Sequence, residues 1–133
     1  MKIRVFLDTN FFMMPYKNHI DVFSEIERLM AGDCEYELAT LESVRRELMS
    51  LKEKSRGEDK VAAGVGLGLL ESKGVMIVGD ANTWWADEEL IKIGEKNKGT
   101  TVICTNDKPL RKILMGRGIP VISMRGKHYL DFT

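Results

Sequence analysis

Short apolar, β-branched runs alternate with segments of helical period along this chain, and that alternation restricts the fold more than any other feature. Residues 2–7, 35–39, 75–78, 101–104 and 119–124 read as strands: brief, apolar and closed by turn signals. Between them, residues 19–30, 40–54, 58–72, 87–96 and 108–115 repeat apolar residues at helical spacing. Residues 11–18, which hold Pro15, read as a loop or short helical turn, and the stretch after Met124 as a tail. Gly32 and Gly74 stand as C-terminal stops, Thr40 as a helix N-cap, and Pro109 in a first turn, where proline is tolerated. Strands that alternate with helices predict a parallel sheet covered on both faces.

The chain has 133 residues, which predicts one domain spanning 1–133. It is 44% apolar and 30% charged, with 20 basic and 20 acidic side chains that cancel. No global basic field exists to attract nucleic acid, so such binding requires a local patch. Cys34 and Cys104 fall beside and within predicted strands and match no metal spacing, which fits reduced thiols and a cytoplasmic location. Asp8 and Asn10 interrupt the apolar start, unlike a signal peptide, and no run approaches the ~20 apolar residues of a membrane span.

Four acids fall where such a sheet gathers its functional groups. Ligands of open parallel sheets bind beyond the carboxyl ends of the strands, at a switch in strand order. Asp8 follows the run Ile3-Arg4-Val5-Phe6-Leu7, and Asp107 follows Val102-Ile103-Cys104 within Thr105-Asn106-Asp107. Glu47 borders the apolar stripe Val44, Leu48 and Leu51, and Asp87 shares a helical face with Leu90, Ile91 and Gly94. Carboxylates beside a core need a partner, and a hard divalent cation such as Mg²⁺ or Mn²⁺ suits them. Phosphodiester hydrolysis is the matching chemistry, with Asn10 and Thr105 placed to orient carboxylates or waters. Each acid also has an ordinary role open to it: Asp8 as a turn residue, Asp107 as a helix cap, Glu47 as a rim partner of an arginine, and Asp87 as a favourable charge in a first helical turn.

Taken in order, these segments resemble the motifs of PIN-domain nucleases. Asp8-Thr9-Asn10 resembles the first, Ser43-Val44-Arg45-Arg46-Glu47-Leu48 the second, Ala86-Asp87-Glu88-Glu89-Leu90-Ile91 the third and Thr105-Asn106-Asp107 the fourth. The resemblance implies a three-layer α/β/α sandwich with a five-stranded parallel sheet. It also implies Mg²⁺ or Mn²⁺ dependence, single-strand or structure-specific RNA cleavage, a homodimer, and metal-site roles for Asp8, Glu47, Asp87 and Asp107, with Glu88 as an auxiliary. The stretches Leu110-Arg111-Lys112-Ile113-Leu114, Gly118-Ile119-Pro120-Val121-Ile122 and 125–130 look most like archaeal members related to nucleases of small-subunit ribosomal RNA processing. VapC-type toxins, which work with an antitoxin, share the four acids. Their third motif usually continues with small residues, where this chain has Glu88-Glu89. The expected function is therefore a metal-dependent endoribonuclease of ribosomal RNA processing, working with ribosome-assembly partners. The alternatives are a VapC-type toxin and an inactive RNA-binding assembly factor.

Other features carry two readings each. Trp84-Trp85 offers a surface for base stacking or a staple for the following helix. Arg45, Arg46, Arg111 and Lys112 are candidate RNA-binding residues, joined by Arg125, Lys127 and His128 in the tail, or they are solvated helix faces. His19 and His128 are too few and too far apart for a zinc site. Gly64, Gly66 and Gly68 lack the spacing of a dinucleotide-binding loop and lie in a predicted helix, which points to close helix packing. Asp8-Thr9-Asn10 lacks the second aspartate of haloacid-dehalogenase-like phosphatases.

Overall fold

The computed structural model describes residues 2–32, 35–79 and 85–133. In chain order the elements are β1 (Lys2–Leu7), α1 (Thr9–Lys17), α2 (Val22–Met30), β2 (Glu35–Leu41), α3 (Glu42–Lys54), α4 (Glu58–Ser72), β3 (Met76–Val78), α5 (Ala86–Lys96), β4 (Thr101–Cys104), α6 (Lys108–Gly116), β5 (Val121–Arg125) and β6 (Tyr129–Phe132). They build one sheet in the order β3-β2-β1-β4-β5-β6. Five strands run parallel, and β6 returns antiparallel to β5. Helices α1, α3 and α4 pack on one another, as do α5 and α6. The chain steps outward one way from β1 through β3 and the other way from β4 to β5. With right-handed crossovers, those two steps put the two helix groups on opposite faces of the sheet.

The expected α/β sandwich is thus present, with six strands rather than five. The extra strand comes from the predicted tail: Gly126, at φ +60°, turns the chain back so that Arg125 faces Tyr129 and Ile122 faces Phe132. Three other expectations also shift. Residues 9–17 form a helix despite Pro15. Asp8 caps it, and burial of Phe11, Phe12, Met13 and Met14 outweighs the proline, which sits in its last turn. The helix predicted from residue 19 begins at Val22, because His19 takes a left-handed backbone (φ 54°) and Asp21 supplies the cap. Thr40 is no cap, since β2 continues through Leu41 and the buried Thr40 hydroxyl donates to the Leu7 carbonyl at 2.7 Å.

The centre of the sheet is β1 against β4. Val5, Phe6, Leu7, Ile103 and Cys104 are essentially inaccessible. Strands this buried on both faces need apolar residues throughout, which is why they read as continuous runs. Gly66 of α4 allows close approach to α1: a Cβ there would lie 2.7 Å from the Phe12 carbonyl oxygen. Gly64 and Gly68 meet no such neighbour, so the packing reading holds for Gly66 alone.

Candidate active site

Strand register creates the site. β1 and β4 are the neighbours from which the chain departs in opposite directions, and Leu7 pairs with Cys104. The next residue on each strand, Asp8 and Thr105, must therefore emerge side by side at the carboxyl edge. The Asp8 N–H donates to the Cys104 carbonyl at 3.2 Å, and the Thr105 hydroxyl donates to Asp8 Oδ2 at 2.5 Å. Asp8 Oδ1 accepts the Phe11 N–H at 3.2 Å, so the same carboxylate caps α1.

Asp107 is built similarly. It caps α6 by accepting the Leu110 N–H at 3.0 Å, while its own N–H donates to the Thr105 hydroxyl at 3.2 Å. Thr105, fully buried, thus ties Asp8 to the Asp107 loop. Asn106 fixes that loop from the other side, its Oδ1 accepting the Met124 N–H at 2.8 Å. Glu47 lies exposed on α3, and Thr9 Oγ1 donates to its Oε2 at 3.0 Å. Asp87 occupies the first turn of α5, where a negative charge complements the helix dipole.

The electrostatics join all four acids. Burial pushes the Asp8 pKa up to about 6 against the lowering effect of its two hydrogen bonds, and the charges of Asp87 and Asp107 add to the rise. Asp87 is also raised, first by desolvation and then by Asp107 and Glu47. Among the described residues, no three of His, Cys, Asp and Glu are grouped tightly enough to hold a metal ion by themselves. The donor set nevertheless suits a hard cation: it is all carboxylate, mutually repulsive and partly desolvated, and Mg²⁺ characteristically keeps waters that span to its ligands. Asp8, Glu47, Asp87 and Asp107 are the candidates that would hold it.

The remaining candidates fall into two groups. Glu88 is exposed beside Asp87. Asn10 is exposed on α1, and its neighbour Thr9 is the residue that reaches Glu47. Thr9 and Asn106 escaped the sequence reading, although both stand inside the motifs that carry the acids. Arg45 is engaged by Glu42 at 2.5 Å. Arg46 shares a cavity of about 270 Å³ with Ser43, Glu47 and Ser50. Arg111 donates to Ser123 at 3.2 Å and, with Lys108 and Lys112, lines a groove of about 230 Å³ along α6. Cys104 is a buried free thiol whose pKa is raised by desolvation and by Asp8. Cys34 and Trp84 lie outside the described residues. No described helix is long and apolar enough to cross a membrane.

In an α/β domain of this kind, acids at the strand ends where the order reverses mark the candidate ligand site. The PIN like domain family matches residues 5–127, nearly the whole chain, and the protein belongs to that family. Ribonuclease VapC4 of Methanocaldococcus jannaschii is 35% identical over 127 residues, covering 93% of this chain and 92% of the relative. Ribonuclease VapC9 of Archaeoglobus fulgidus is 36% identical over 115 residues, covering 86% and 78%. The solved structure of the PIN domain endonuclease Utp24 superposes with a TM-score of 0.74 at 21% identity, over 97% of this chain and 90% of that one. That likeness bears out the fold.

Proposed function

We propose that the protein is a metal-dependent endoribonuclease. The observation that carries this reading is the electrostatic coupling of Asp8, Glu47, Asp87 and Asp107 at the switch between β1 and β4. Two relatives named ribonucleases, each more than a third identical, support RNA as the substrate. Bound Mg²⁺ or Mn²⁺ would supply a water of lowered pKa and neutralise charge on the phosphate. The chain's own residues do the rest. The four carboxylates hold the cation, Thr105 keeps Asp8 and Asp107 in register, and Thr9 orients Glu47. Asn10 and Glu88 serve as outer partners of the waters. Arg46, Arg111 and Lys112 bind RNA phosphates, with Arg45 joining them on release from Glu42. Cleavage leaves a 5′-phosphate and a 3′-hydroxyl. The protein acts as a cytoplasmic homodimer.

Processing of ribosomal RNA, with ribosome-assembly partners, is the role we infer from the C-terminal segments. A toxin restrained by an antitoxin is a second reading, favoured by the names of both relatives. A small antitoxin reading frame immediately upstream of the gene would select it. Labelled RNA incubated with and without Mn²⁺, with wild type and Asp8→Asn in parallel, tests the nuclease itself. Cutting that needs the metal and is lost in the variant supports the reading. A product ending in a 2′,3′-cyclic phosphate would sink the hydrolytic mechanism.

A further inference from the structure

Trp85 immediately precedes α5 and is 71% exposed. Its carbonyl accepts the Glu89 N–H at 3.1 Å, so the indole is carried on the first turn of the helix that bears Asp87. Tryptophan is highly buried on average, and an indole this open contributes little to folding. Helix α5 packs on α6, whose groove of about 230 Å³ is lined by Lys108, Arg111 and Lys112 immediately after Asp107. An open aromatic face and the acids Asp87 and Asp107 therefore stand at the N-terminal ends of two adjacent helices, and the cationic groove runs from one of those ends along α6.

One class of ligand fits all three. An exposed indole calls for a flat π partner, and the lysines and arginine call for phosphates. A single-stranded nucleic acid supplies both at nucleotide spacing. In a duplex the base faces are already stacked on their neighbours and cannot reach a side chain. We propose that Trp85 is a substrate-binding residue that stacks an unpaired base of the RNA beside the acidic site. This rests on the nuclease reading above.

The test uses the full chain carrying Asp8→Asn, so that bound RNA stays intact. Fluorescence polarisation measures its affinity for three fluorescein-labelled probes: a mixed-sequence RNA dodecamer, the same ribose-phosphate backbone without bases, and a duplex of equal length. Trp85→Ala should weaken dodecamer binding by roughly 5- to 150-fold, and Trp85→Phe should retain most of it. For the baseless backbone, Trp85 and Trp85→Ala proteins should bind alike, a result that a merely structural role would not give. The duplex should bind more weakly than the single strand. Equal binding of the dodecamer by both proteins overturns the proposal, as does failure of Trp85 to distinguish the dodecamer from its baseless counterpart. So does a Trp85→Ala protein whose solution mass changes while its RNA affinity does not, because the indole would then belong to a protein interface. Metal-dependent cleavage by wild type is measured separately, so loss of the nuclease reading and loss of this inference are distinguishable.

Discussion

Asp8 should make the metal-free protein less stable as pH rises, and Asp8→Asn should remove that dependence. The folded carboxyl has a pKa of about 6 against an ordinary value of 3.8, with burial the largest cause. A carboxyl that holds its proton more tightly when folded binds more protons in the native state between those two values, so stability falls across that window. The cost of ionising Asp8 on folding is then about 0.5 kcal/mol at pH 4, about 1.5 at pH 5 and about 3 at pH 7.5. Asparagine carries no such cost. Its Oδ1 still accepts the Phe11 N–H, but an amide nitrogen facing the Thr105 hydroxyl reverses that bond, for a loss of about 1 kcal/mol. Asp8→Asn should therefore be about 2 kcal/mol more stable than wild type at pH 7.5, or roughly 6–10 °C in Tm. At pH 4 it should match wild type or fall slightly below it. Urea unfolding of both proteins in EDTA at pH 4, 5 and 7.5 measures the difference. The change in that difference with pH, about 2.5 kcal/mol, does not depend on the cost of the reversed hydrogen bond. A difference constant to within about 0.5 kcal/mol across the range would show that Asp8 is not desolvated and would refute the reasoning. Mn²⁺ at pH 7.5 should raise wild-type Tm, and that of the variant much less.

Substitutions at three further positions separate positioning from folding. Thr9→Val removes the donor to Glu47 Oε2. The Mn²⁺ concentration needed for half-maximal cleavage should rise roughly 10- to 100-fold, with Thr9→Ser restoring most of it; unchanged metal dependence in Thr9→Val would refute that role. Asp107→Asn keeps a side-chain acceptor for the Leu110 N–H, so thermal unfolding should barely move while cleavage is lost, whereas Asp107→Ala should also lose about 1 kcal/mol of stability. Gly66→Ala drives a methyl to within 2.7 Å of the Phe12 carbonyl oxygen and should cost about 1–3 kcal/mol in urea unfolding, with m unchanged.

Much of this site was legible because it follows from strand ends. A continuous apolar run identifies a strand buried on both faces, and the first polar residue after it marks the carboxyl edge where ligands bind. Asp8 needed nothing more, whereas Asp107 lies two residues beyond Thr105, the first polar residue after β4. Glu47 and Asp87 needed helical phase, since an acid bordering an apolar stripe sits where the helix meets the sheet edge. The features that escaped lack a periodic signal. Residues 11–14 are Phe-Phe-Met-Met, buried together, so no polar face reveals the helical period, and Pro15 imitates a break. β6 is a four-residue edge strand whose single buried residue, Leu130, gives no recognisable alternation. Thr40 has the composition of a cap, but its hydroxyl is committed to the Leu7 carbonyl by a strand pairing distant in sequence.

The ordinary roles weighed for Asp8 and Asp107 turn out not to compete with a chemical one. Each caps a helix through Oδ1, which fixes its side chain without neutralising it. The caps explain how two like charges can be held near each other at a sheet edge. α1 and α6 each begin there, and their unpaired N–H groups and dipoles favour a carboxylate at that position. Thr105 then sets the spacing, since its one hydroxyl donates to Asp8 and accepts from the Asp107 backbone. The local fold thereby stabilises the geometry of each acid while leaving their mutual repulsion unrelieved. That repulsion contributes to the raised pKa values of Asp8 and Asp87. A divalent cation would relieve it, so the energy that destabilises the site without metal would add to the affinity for one.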